Sequence, residues 1–192
     1  MDEGFANTSY QINKRFLKLF GGEFRILAPG GELLFYSKMK AFKLKEDIRL
    51  YTDETMQREV FRIHARKIFD LSATYDVVDA TSEQPIGALR RKGFKSMLQD
   101  EWAILDTAGG EVATVREDNV LLALARRFLT NLIPQNFHVT VGGQTVGTFK
   151  SNFNPFLTRL TVDFSNDTAQ LLDRRLGLAA AMMICAVEGK QD

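Results

Sequence analysis

The chain has 192 residues, 45% of them hydrophobic, enough for one domain with a sizeable core. Its 25 lysines and arginines balance 24 aspartates and glutamates to a formal net charge of +1, so no global attraction to nucleic acid is indicated and any charge effect must be local. Cys185 is the single cysteine, which excludes an internal disulfide, and its place in an apolar run marks it as a small core side chain rather than a nucleophile.

Residues 1–9 are small and polar and read as a flexible lead-in to one domain spanning residues 10–192. Residues 1–20 lack the basic start and apolar run of a secretory signal, so the expected location is the cytoplasm, with a peripheral place at a membrane left open.

From Tyr10 onward short β-rich runs alternate with glycine turns. Phe24–Leu27, Pro29-Gly30-Gly31-Glu32 and Leu33–Tyr36 read as strand, turn, strand. The pattern returns at Tyr75–Asp79 with Ile86–Leu89, at Trp102–Leu105 with Val112–Val115, and at Phe137–Val141 with Thr145–Phe149. None of the glycine pairs has the spacing or the strand-to-helix setting of a phosphate-binding loop, so they are read as turns. Phe42, Leu44, Ile48 and Leu50 share one parity, and Phe61, Ile63 and Ala65 alternate with Arg62, His64 and Arg66, which gives each strand one apolar and one wet face.

Hairpins without intervening helices point to an antiparallel meander, and about twelve strands are too many for a flat sheet. Closure into a barrel removes the edges but leaves an interior to fill. Asp118 or Asn119 can cap a helix over residues 120–133 that Pro134 stops; its Arg126, Arg127 and Thr130 face places it outside, either as a plug over one mouth or as a membrane-surface helix.

The filler is the stretch from Asp167 to Val187. Asp167 and Thr168 are candidate N-caps, and the residues from Leu176 to Val187 have no polar face, so the helix has to be enclosed. Twelve apolar residues rise only ~18 Å against a hydrocarbon core of ~30 Å. That favours a core helix over a membrane span. The expected fold is mainly β: a closed antiparallel barrel of about twelve strands around a buried hydrophobic C-terminal helix, with one additional outer helix.

Five stretches carry a family likeness: Phe42–Leu50, Ile63–Asp79, Pro85–Lys95, Trp102–Gly110 and Leu172–Val187. On these the chain resembles the Tubby C-terminal-like superfamily, and within it the LURP-one-related and phospholipid-scramblase-like proteins. The resemblance implies a twelve-stranded barrel wound around a hydrophobic C-terminal helix. For function it implies a range, from phosphoinositide head-group binding through calcium-responsive membrane proteins to members with no known biochemical role. The chain departs from scramblases in lacking a proline-rich N-terminal region and a cysteine cluster for acylation. Asp163 and Asp167 are the two carboxylates in the segment where scramblases carry a calcium-binding stretch, and calcium takes roughly 6 to 8 oxygen ligands.

Signals of catalysis are few. His64 and His138 have no partner at metal-ligand spacing and there is no Gly-x-Ser-x-Gly elbow, so neither an enzyme, a metal site nor a cofactor is expected. The informative charges are basic: Arg90, Arg91, Lys92 and Lys95 in a stretch without acids, Lys38, Lys40, Lys43 and Lys45, and Arg62 with Arg66 on one outward face. If Arg62, Arg66, Arg90, Arg91, Lys92 and Lys95 converge, they form a site for an anionic phospholipid or phosphoinositide head group. The alternative is a solvated face on a protein-interaction module, or a scramblase-like membrane protein; no nucleic-acid partner is expected.

Overall fold

The computed structural model describes residues 2–17, 21–39, 47–66, 73–92, 101–118, 135–152 and 157–188. Twelve strands, β1 (Ser9–Leu17), β2 (Gly21–Leu27), β3 (Leu33–Met39), β4 (Asp47–Tyr51), β5 (Glu59–Ala65), β6 (Thr74–Asp79), β7 (Pro85–Arg91), β8 (Glu101–Leu105), β9 (Glu111–Glu117), β10 (Asn136–Val141), β11 (Gln144–Asn152) and β12 (Leu157–Asp163), precede the helix α1 (Arg174–Glu188). Each strand pairs with its sequence neighbour, and the barrel closes because β1 lies between β12 and β2. The expected outer helix over residues 120–133 and the Phe42–Leu44 part of the alternating run lie outside the described residues.

The hairpins fall where glycine allows a reversal. Between β10 and β11 both turn residues have positive φ, 56° at Gly142 and 83° at Gly143, the backbone that a two-residue turn of matching twist demands and that a side chain disfavours.

Alternation then sorts the side chains. Ile12 pairs with Ile26 on one side and Leu160 on the other, and all three are buried. Against this lining lies α1, buried at every position from Leu176 to Ala186, with Gly177 close against Phe164. An apolar stripe round the whole helix is stable here because the wall encloses it on all sides.

Three features differ from the sequence expectations. The residues read as a loose lead-in are folded. Asp2 accepts a hydrogen bond from the Gly4 amide (3.0 Å) at the start of a 3₁₀ helix, Glu3–Ala6, and Phe5 is buried with its ring 4.7 Å from that of Phe35. One aromatic side chain in so short a segment anchors it.

The helix starts later than Asp167 or Thr168. Gln170 has φ 51°, which no interior residue of a right-handed helix can hold. Asp173 is the cap instead: its Oδ1 accepts from the Arg175 amide at 2.9 Å and its carbonyl from the Gly177 amide at 3.0 Å. Asp167 serves the preceding turn, accepting from the amides of Leu171 (2.8 Å) and Leu172 (3.2 Å) and from Arg174 Nη1 (2.9 Å).

The wet face is not wet everywhere. Ala88, Ala103 and Leu105 alternate with the core residues Leu89, Trp102 and Ile104, yet they are buried as a separate small cluster. In the other direction, Lys14 is buried with the inward parity of Tyr10 and Ile12. Ser37 and Trp102 are also buried, and Ser37 Oγ and Trp102 Nε1 make no hydrogen bond among the described residues.

Candidate functional site

The basic residues singled out above divide into distinct settings. Arg62, on the outer face of β5, is bonded through Nε to Glu59 at 3.1 Å and through Nη2 to Glu83. Arg66 forms a two-pronged pair with Asp76, both Nε contacts at 2.9 Å. The Asp76 bonds raise Arg66 above the ordinary arginine value, with burial opposing.

Lys92 bridges two strands, with Nζ 2.9 Å from Glu101 and 2.8 Å from Glu111. Burial pulls Lys92 down, but the two carboxylates outweigh it and raise the amine above the usual lysine value. Burial likewise pushes Glu101 and Glu111 up, and the bonds from Lys92, together with Arg116 on Glu101 and Thr114 on Glu111, hold both below the usual range.

Arg91 has the parity of the core residue Leu89 rather than of the outer wall, and it lies opposite Trp102. It is close enough to Tyr75 to offset part of the upward push that burial gives the phenol. Lys95 lies outside the described residues.

Arg90 differs from all of these. It lies on the outer face of β7, half-buried, opposite Thr74 on one side and Ala103 on the other. Arg66, whose amide donates to the Thr74 carbonyl at 3.0 Å, flanks the same Thr74 from just beyond the end of β5. Among the described residues of the six-member basic set, Arg90 alone has a side chain with no hydrogen bond or ion pair to a described residue; its charge helps to hold Glu111 down. The barrel therefore brings Arg66, Arg90 and Lys92 to one stretch of wall near the C-terminal end of α1, and sets Arg62 farther along β5 and Arg91 on the opposite parity.

Sequence reasoning missed a second feature, at the end of the barrel where α1 begins. A cleft of about 320 Å³ opens between the N-terminal 3₁₀ helix, β5 and the β6–β7 turn. Phe5 and Val60 give it an apolar side, and Arg58 and Arg175 supply cations. No linear signal could reveal it, because its parts come from four separate segments of chain. The legible hint was Phe5, an aromatic in an otherwise polar start.

The residues considered for catalysis are engaged elsewhere. His64 and His138 sit against Asp76 (3.9 Å) and Asp118 (2.7 Å) on the outer surface, and Cys185 is buried in α1. Among the described residues no group of three or more His, Cys, Asp or Glu gathers as a metal site would require. No described helix is long and apolar enough to cross a membrane.

The architecture has a counterpart among solved structures: a crystal structure of a protein from Arabidopsis thaliana superimposes with a TM-score of 0.51, covering 93% of this chain and 91% of that one at 13% sequence identity. At that identity the likeness concerns the fold. No curated protein sequence matches the chain. The sequence profile of the LURP-one-related family matches residues 33–185, from the start of β3 into the central helix, and the chain belongs to that family.

Proposed function

We propose that this protein is a non-catalytic binding barrel whose outer wall around Arg90 engages the phosphate of an anionic phospholipid or phosphoinositide head group at a membrane surface. The observation that carries the reading is the guanidinium of Arg90, unpaired among the described residues, half-buried between Thr74 and Ala103 and separated from Arg66 by one intervening strand. A guanidinium without a carboxylate keeps its full set of donors for phosphate oxygens. The neighbouring pairs do not block it: Arg66 is 58% exposed, and exposed ion pairs contribute only ~0 to 1 kcal/mol, so a phosphate can draw such a cation away. Because the interior is filled by α1, a ligand of this size has to bind outside.

Co-sedimentation with vesicles tests the reading. Binding is expected to acidic but not neutral vesicles and to weaken with salt. Arg90→Ala is expected to cost ~1 kcal/mol, roughly a five-fold loss of partitioning. Equal behaviour on both vesicle types at low salt, or no change in Arg90→Ala, would remove the proposal. The competing reading, a surface for another protein, draws on Leu33, Met56, Val112 and Leu171, large apolar side chains exposed in the turns and strand ends at the opposite end of the barrel. Lipid-independent binding to a partner, lost on changing Leu171 and Met56 to Ser, would favour it.

A further inference from the structure

We propose that the cleft beside Phe5 is a second, separate binding site, for a small organic acid: a molecule with an apolar body and one carboxylate or phosphate group. Its volume of about 320 Å³ lies at the lower end of the range of small-molecule sites, roughly 300 to 1,000 Å³. The chemistry of the ligand follows from which polar groups in the cleft are already satisfied.

The acids are occupied. Glu59 accepts from Arg62 Nε at 3.1 Å with one oxygen and from Arg49 Nη1 at 3.3 Å with the other. Asp79 accepts the amides of Thr81 (2.9 Å) and Ser82 (3.0 Å) and, with its second oxygen, Arg175 Nη1 at 3.1 Å. Those bonds, led by the Ser82 amide, hold Asp79 below the ordinary carboxylate value although burial opposes them. A cationic ligand would have to break them.

Of the two cations, Arg175 is held by Asp173 and Asp79, its Nη2 lying 2.6 Å from Asp173, and Arg58 is the donor left over. Arg58 has a side chain 69% exposed, and among the described residues its one ion pair is a loose contact of 3.5 Å to Asp2 Oδ2. A good charge-assisted bond is ~2.7 to 2.9 Å. Asp2 thus fills, weakly, the position that the acid group of a ligand would take, while its other oxygen stays on the Gly4 amide. The incoming acid replaces Asp2 on the Arg58 fork, and its apolar body lies against Phe5 and Val60. Neither Arg58 nor Asp2 belongs to the wall around Arg90, so the two proposals stand or fall apart.

The test uses the full chain and isothermal titration calorimetry with phenyl phosphate, benzoate and, as the neutral control, benzyl alcohol. Saturable one-to-one binding of at least one acid, and not of the alcohol, is expected. Arg58→Ala should weaken it at least ~tenfold. Asp2→Asn should tighten it several-fold, because the internal competitor loses its charge; a carboxylate that helped to hold the ligand would give the opposite sign. Thermal melts of both variants establish that they are folded. Absence of saturable binding by either acid up to ~10 mM, equal binding of the alcohol, or folded Arg58→Ala binding as well as the parent would overturn the proposal, and tighter phenyl phosphate than benzoate, or the reverse, decides which acid the site prefers.

Discussion

The ammonium of Lys14 donates a hydrogen bond of 2.6 Å to the carbonyl of Cys185 inside the barrel, and lies 3.4 Å from that of Ala186. The two residues are 171 positions apart. The last carbonyls of a helix have no partner within it and carry its negative dipole end, so a lysine from the wall answers both needs at once. The Phe24 ring, 5.8 Å away, adds a face for the same cation.

Replacing that lysine should therefore cost stability, although the new side chain is less polar. Lys14→Met keeps most of the volume but removes the ammonium's bond to a buried carbonyl, and the expected loss is ~1 to 3 kcal/mol. Urea denaturation of both proteins checks it, and unchanged stability would mean that the bond contributes nothing net.

Phe164 is the wedge at the other end of the helix, and two glycines make room for it. A Cβ on Gly177 would lie 2.6 Å from Phe164 Cζ, and one on Gly147 would lie 2.7 Å from Cδ1. The ring cannot retreat, since Phe149 meets its edge at 5.9 Å and the Arg174 guanidinium covers its face at 4.6 Å. Alanine in a helix gains ~1 kcal/mol over glycine, but overpacking costs ~1 to 3, so Gly177→Ala should be destabilising. The double variant with Phe164→Leu should lose less than the two single losses summed, as a thermal-melt cycle will show.

Asp167 and Arg174 form a pair in which the carboxylate side chain is fully buried and the arginine 12% exposed. Asp167→Ala removes the partner of a largely buried cation and two amide acceptors together, and a loss of ~3 to 5 kcal/mol is expected. Asp167→Asn, which keeps one acceptor oxygen, should cost less; equal losses in denaturant titrations would count against the ion pair as the cause.

Stability should fall at both pH extremes for identifiable reasons. Burial raises the Tyr10 phenol from 10.0 to about 12, with the Arg174 charge opposing. The unfolded chain then releases that proton first, so stability is complete below pH 10 and declines between 10 and about 12. Asp79, Glu101 and Glu111 are shifted down from 3.8, 4.5 and 4.5, so what they contribute is present above those values and lost as pH falls through the lower folded ones. Urea midpoints across pH check both, and Tyr10→Phe should flatten the alkaline limb.

The barrel was legible in the sequence because its causes are local. Gly142-Gly143 reverses the chain whatever surrounds it, period-two alternation at Phe61-Arg62-Ile63 assigns each side chain a face, and a run with no polar side, Leu176 to Val187, has to be enclosed. Helix boundaries were less legible: Asp167 and Asp173 are equally good caps in sequence, and the left-handed backbone at Gln170 decided between them. Charge was least legible. Arg90, Arg91 and Lys92 are adjacent in the chain, yet alternation sends Arg91 to the other parity, and Lys92 is taken by Glu101 and Glu111 while Arg90 stays unpaired among the described residues.

What the sequence by itself determined is thus the strands and their closure around an apolar helix, since backbone propensity and hydrophobic period act over a few residues. Only the tertiary structure decided which cations are neutralised, that Lys14 meets the end of α1, and that Phe5, Arg58 and Arg175 share a cleft. Those outcomes depend on strand register and on the stagger of a closed sheet, which bring together residues from distant segments, and Coulomb and hydrogen-bond energies are set by that final separation rather than by position along the chain.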